Sequence, residues 1–173
     1  MKKLSKIVAL LLAGALTMLL FTACGGGGGG GNYGTRDADK EASLFTSVKG
    51  GSQVSAQVTA NDPTLCETAD RHLKEDLNSS VDFLGAKWVA NVHVDGEKDR
   101  YLIITATANY TGGPLSELAL EKIEKLAGKK LPGTNVNVKG TGSWIDVGVV
   151  VRNVGTQSYM AVAFKIANPK YNK

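Results

Sequence analysis

The sequence predicts an α+β domain: a mainly antiparallel sheet of about five strands, with two helices on one face of a two-layer sandwich. Three observations predict it. Two segments carry their apolar residues on a single helical face, several others alternate apolar and polar residues, and an Asp-Gly turn joins two of the alternating runs. Single-faced helices and single-faced strands hide their apolar sides only against one another.

Residues 32–43 are polar, without an apolar period, and read as linker. Leu44, Phe45 and Val48 are the first residues worth burying, and Val54–Val58 alternates weakly. A firm helix begins at Asp62-Pro63, where Asp62 suits the N-cap and Pro63 the first helical position. Leu65, Cys66, Ala69, Leu73 and Leu77 then share one arc of roughly 120°, and Glu67, Asp70, Arg71, Lys74 and Glu75 fall outside it.

Ala86–Val94 and Arg100–Tyr110 flank Asp95-Gly96 and predict a hairpin. In its first strand Trp88, Ala90, Val92 and Val94 alternate with Lys87, Val89, Asn91 and His93. In its second, Leu102, Ile104, Ala106 and Ala108 alternate with Tyr101, Ile103, Thr105 and Thr107. Leu115–Ala127 predicts the second helix, with Gly128 as its stop. Asn135–Lys139 predicts a short strand, and Trp144–Arg152 and Ser158–Ile166 two longer ones. Ile145, Val147, Val149 and Val151 face the helices with Met160, Val162, Phe164 and Ile166.

Ahead of this domain, Lys2, Lys3 and Lys6 precede an apolar run, Ile7–Phe21, that is short for a membrane span. A positive start, a short apolar centre and small residues at its end form a secretory signal. Leu20-Phe21-Thr22-Ala23-Cys24 resembles the lipobox of bacterial lipoproteins, with Phe21 where leucine is commonest. The resemblance covers residues 1–24 only. It implies cleavage before Cys24, a lipid on that cysteine, and an extracytoplasmic domain held at the cell membrane.

Gly25–Gly31 follow directly, and such a run orders only at a large entropic cost, so it reads as a tether. A coil from Cys24 to Ser43 would set the domain roughly 25 Å from its anchor. The expected organisation is a signal peptide over 1–23, a lipidated cysteine and tether over 24–43, a domain over 44–168 and a polar tail over 169–173.

Charge adds an exclusion. The formal charge of +4 comes mostly from the signal: without its three lysines, 17 basic residues face 16 acidic ones. That balance offers nothing to a nucleic acid, whose binding rests on neutralising phosphates. With Cys24 given to lipid, no disulfide framework is expected, and burial must stabilise the domain.

Catalytic signals are sparse. His72 stands at the edge of the apolar arc, one turn from Asp76, and His93 lies on a strand beside the acids Asp95 and Glu97. Either histidine with a carboxylate would suit general acid–base work in a small envelope hydrolase, but both read as solvated flanks. Cys66 and His72 face different sides of their helix, no CxxC or HExxH is present, and neither metal nor cofactor is expected. No Gly-x-Ser-x-Gly elbow occurs.

Asp62–Ala69, Val147-Gly148-Val149 and Tyr159–Val162 resemble the first helix and closing strands of bacterial CAP-superfamily domains. That family's cleft is lined by two histidines and two glutamates on long segments. A hairpin and a helix stand there in this chain, so no site carries over.

What remains is a surface. With the helices on one side, Tyr101, Thr105, Thr107 and Trp144 line an uncovered sheet face, together with Asp146, Arg152, Tyr159 and Lys165. Aromatic groups interleaved with polar ones suit an envelope protein, a peptide or a glycan. The expectation is a lipid-anchored, non-catalytic binding domain, or else a regulatory or inhibitory module of an envelope enzyme.

Overall fold

The computed structural model describes residues 33–80, 82–83, 86–111, 117–133 and 135–171. The signal, Cys24 and its glycines, and Leu115 at the start of the second expected helix lie outside them.

The class is α+β. The central sheet contains β1 (Thr35–Arg36), β4 (Ala90–Asp95), β5 (Tyr101–Asn109), β6 (Asp146–Val154) and β7 (Gln157–Ala167). Their order is β1-β6-β7-β5-β4, and every neighbouring pair is antiparallel. A small ribbon pairs β2 (Asp82–Phe83) with β3 (Ala86–Lys87). The helices are α1 (Ala38–Lys49), α2 (Pro63–Ser79) and α3 (Glu117–Lys130). Among the described residues no helix is long and apolar enough to cross a membrane.

Folded structure starts earlier than residue 44. Asp37 caps α1, accepting from the Lys40 amide at 3.0 Å. Glu41 is buried, pairs with Arg36 at 2.6 Å and accepts from the Val151 amide at 3.1 Å. These polar residues read as linker because their partners lie far along the chain, in β6. Leu44, Phe45 and Val48 fill the apolar face of the same helix.

The Asp37 carboxyl is pulled down to about 2, chiefly by hydrogen bonds from Asn153 and from Lys40. A depressed acid contributes stability above its unfolded value near 4, lost as pH falls through the folded one. Asp37→Ala should therefore weaken the fold at neutral pH and leave it little changed near pH 2. Urea unfolding at both pH values checks this, and an equal loss at both rules the cap out as the cause.

Helix α2 matches its expected start, with Asp62 accepting from the Leu65 amide at 2.8 Å. Gly128 does not stop α3, which runs on to Lys130, and Asn135–Lys139 forms no strand, though Val136 and Val138 are buried. Val54–Val58 contributes only a parallel bridge between Val54 and Trp144.

The helices divide between the faces of the sheet. Leu44, Phe45 and Val48 of α1 and Ile123 and Ala127 of α3 pack with Val147, Val149, Val162 and Phe164. Leu65, Cys66, Ala69, Leu73 and Leu77 of α2 pack on the other face, against Val150, Tyr159, Ala161 and Ala163. Gly148 makes this second contact intimate, because a Cβ there would stand 2.5 Å from the Cys66 amide nitrogen. Small residues on β6 and β7 let a helix lie close on a face whose polarity suggested open solvent.

Candidate functional site

The expected binding face is closed, and that expectation is corrected here. Thr105 and Thr107 lie beneath α2 and are fully buried. Tyr159 is buried there as well, its hydroxyl donating to Gln157 Oε1 at 2.5 Å. Arg152 is buried in a two-point pair with Asp70, at 2.5 and 3.0 Å, and donates to the carbonyls of Tyr33 and Gly34. Burial pushes the Asp70 carboxyl up, but the bonds from Arg152 and Lys74 win and hold it below its ordinary value.

Trp144 reaches the opposite core. It stacks on Phe164 at 3.7 Å with its ring almost parallel, and its indole N–H donates to Val138 O. The strand alternation fails at this point: Asp146 pairs with Lys165, and the Ile145 amide also donates to Lys165 O. Two residues oppose one, as in a β-bulge, and the bulge re-aims the side chain before it.

Tyr101, Asp146 and Lys165 keep partial exposure. Arg100 and Lys165 approach the Tyr101 ring at 5.4 and 5.1 Å. Burial, then the charge of Asp62, raises the Asp146 carboxyl, with Lys165 opposing. Three residues at one end of the sheet do not make the continuous aromatic face expected.

The polar grouping that does form lies between α2 and the edge strand β4. Asn91, His93 and Asp95 alternate along β4 and point toward the helix, and Thr105 and Thr107 stand across from His93 and Asn91 on β5. Facing them, α2 supplies His72, Glu75 and Asp76 at helical spacing. The rings of His72 and His93 stack at 4.0 Å, with an interplanar angle of 14°.

Each histidine is held by acids. His72 Nε2 lies 2.7 Å from Asp95 Oδ2 and its Nδ1 3.0 Å from Glu75 Oε2. His93 Nε2 lies 2.9 Å from Asp76 Oδ2. Asp76 is buried and also accepts from Thr107 Oγ1 at 2.5 Å and Asn91 Nδ2 at 2.9 Å. Arg71 lies alongside His72, reaching both ring nitrogens at 3.5 and 3.1 Å. The hydrogen bond from His72, aided by Arg71, holds Glu75 below its ordinary value against a smaller cost of burial.

His72 is thus buried rather than a solvated flank, while His93 keeps a quarter of its side chain exposed, 26%. On the outer side of α2, an open groove of about 420 Å³ is lined by Tyr33, Glu67, Asp70, Arg71, Lys74 and Glu75. Arg71 and Glu75 belong to groove and cluster alike. Cys66 takes no part: it is buried, with Sγ 3.5 Å from Val149 O, and it is disulfide-bonded, which corrects the expectation that no disulfide forms.

Reading the residues along the chain had paired His72 with Asp76 one turn away, but Asp76 takes His93 instead. Glu75 and Asn91 were missed. A usable signal was present in the alternation of Asn91, His93 and Asp95, three polar groups on one strand face opposite threonines.

The fold and the cluster together define an antiparallel α+β domain with a partly buried histidine–carboxylate cluster at a sheet edge. No family model, curated protein or solved structure matches the chain.

Proposed function

We propose that this chain is a cell-envelope lipoprotein, anchored through lipid on Cys24, whose small non-catalytic domain binds a ligand outside the cytoplasm. The observation that carries the anchor is Thr22-Ala23-Cys24 after a short basic-apolar leader, with seven glycines following. Binding is favoured over turnover because both nitrogens of the buried His72 already lie against carboxylates, Glu75 and Asp95, rather than open to a substrate. The binding seat moves from the sheet face to the surface around α2.

One observation favours a second reading, a small envelope hydrolase. Asp76, itself fixed by Thr107 and Asn91, orients His93 as a carboxylate orients a general base, and His93 is partly exposed. Incubating the chain with ester, amide and glycoside substrates separates the two: turnover that His93→Gln abolishes establishes the hydrolase.

Mass spectrometry of the mature N-terminus tests the anchor. The expected species begins at Cys24 and carries a diacylglyceryl thioether, and Cys24→Ser should release the domain from the membrane fraction. Thioether and disulfide exclude each other at one sulfur. A chain beginning at Met1, or one in which Cys24 and Cys66 are joined, overturns the assignment.

A further inference from the structure

We propose that His72, Glu75 and His93 form a binding site for a borderline divalent transition-metal ion of the zinc type. This rests on the binding reading and names its ligand. One nitrogen of each ring and one Glu75 carboxylate oxygen lie within 4.8 Å of one another. Two imidazoles and one carboxylate are a donor set for first-row divalent ions, with further positions left for water or substrate. Calcium and magnesium prefer oxygen ligands throughout, and this set is mainly nitrogen.

Four features beyond the donor set support a built site. Metal-bound histidines commonly give their second nitrogen to a carboxylate, which fixes the ring and strengthens it as a ligand. Both rings have such a partner: Asp95 on His72 Nε2 and Asp76 on His93 Nε2. The assignment follows directly, with His72 Nδ1, beside Glu75, and His93 Nδ1 as the ligating atoms.

Both groups nearest the His72 nitrogens are carboxylates, and His72 Nδ1 and Glu75 Oε2 lie 3.0 Å apart, so a cation drawn between them has a donor atom on either side. The cluster also sets three carboxylates, Glu75, Asp76 and Asp95, against the single fixed charge of Arg71, which favours a dication.

The last feature is independent of the histidines. Thr105 is 0% exposed, stands directly across β4–β5 from His93, and its hydroxyl has no partner among the described residues. A buried hydroxyl left unpaired calls for an unseen water or ion. A water completing the metal's coordination supplies one.

Coordination requires movement. Zinc–nitrogen bonds of about 2.0–2.1 Å bring ligands closer than 4.8 Å, so the rings must turn out of their stack and Glu75 must swing inward. His93 and Glu75 are the exposed members, and they move most cheaply.

The test uses the mature chain in detergent micelles. Zinc is titrated by calorimetry, and cobalt(II), a visible-absorbing substitute, by its d–d bands. The expected result is one ion per chain with tetrahedral-type cobalt absorption, and a rise in melting temperature with zinc. His93→Gln and Glu75→Gln should each weaken binding by more than about 10-fold, since even supporting partners of metal ligands cost about 10- to 100-fold.

Both variants alter partly exposed side chains, and unchanged far-ultraviolet circular dichroism confirms that they fold. Absence of stoichiometric binding, or binding unchanged in folded His93→Gln, overturns the site and leaves the lipid anchor standing. Hydrolytic turnover by zinc-loaded chain with the expected cobalt spectrum keeps the site and overturns the non-catalytic reading instead.

Discussion

Trp144→Ala should destabilise the domain by about 3–5 kcal/mol, the range for removing a large buried aromatic side chain. The side chain is fully enclosed, stacks on Phe164 and donates its indole proton to Val138 O. Its loss leaves a cavity and an acceptor without its donor. The Trp144 amide also donates to Gln53 O, and its carbonyl accepts from Ser55 N, but substitution leaves these backbone bonds in place. The loss should therefore be one of packing. Urea unfolding followed by circular dichroism measures it: the midpoint should fall with the slope nearly unchanged. A loss below about 1 kcal/mol would place the ring at a surface, as the sequence alone suggested.

The second large effect is expected at Asp76. Its buried carboxylate accepts from Thr107, Asn91 and His93, so Asp76→Ala removes one acceptor group and strands three donors. Breaking a buried charged network in this way typically costs about 3–5 kcal/mol. Thr107→Val removes one donor, and in the double variant the two losses should add to less than their sum, because they share a bond. Strict additivity would show that the Thr107–Asp76 bond is absent in solution. Asp76→Asn keeps the shape and one acceptor oxygen, and should cost less than alanine.

These predictions mark the boundary of what could be read from the chain. The hairpin of β4 and β5, the capped start of α2 and the existence of strands β6 and β7 were all legible. Each is written locally: Asp-Gly between alternating runs, Asp62 before Pro63, and valines in alternation on β6. Helix α1 was not, although Leu44, Phe45 and Val48 were marked for burial. Its polar first turn gains its purpose from Asn153 and Val151, more than a hundred residues away in sequence.

Trp144 was misplaced by the assumption of uninterrupted alternation. A β-bulge is a property of two strands, and one strand's sequence does not announce it. The candidate site failed for a related reason. His72 and His93 were each weighed against neighbours on their own element, where both look like ordinary surface residues. Only the packing of α2 against β4 stacks their rings and hands Asp76 from the first to the second.

The sequence by itself determined the α+β class, the β4–β5 hairpin, the near-neutral charge of residues 24–173 and the expectation of a lipid anchor at Cys24. Periodicity, turn chemistry and short motifs are local, and a single chain displays them. The tertiary structure decided which face of the sheet α2 covers. Thr105, Thr107, Tyr159 and Arg152 therefore became interior rather than surface, and the histidines and acids converged. Polar residues on a strand face are compatible with water or with a helix bearing matching donors and acceptors. Only the packed fold chooses between them, because the choice depends on partners distant in sequence.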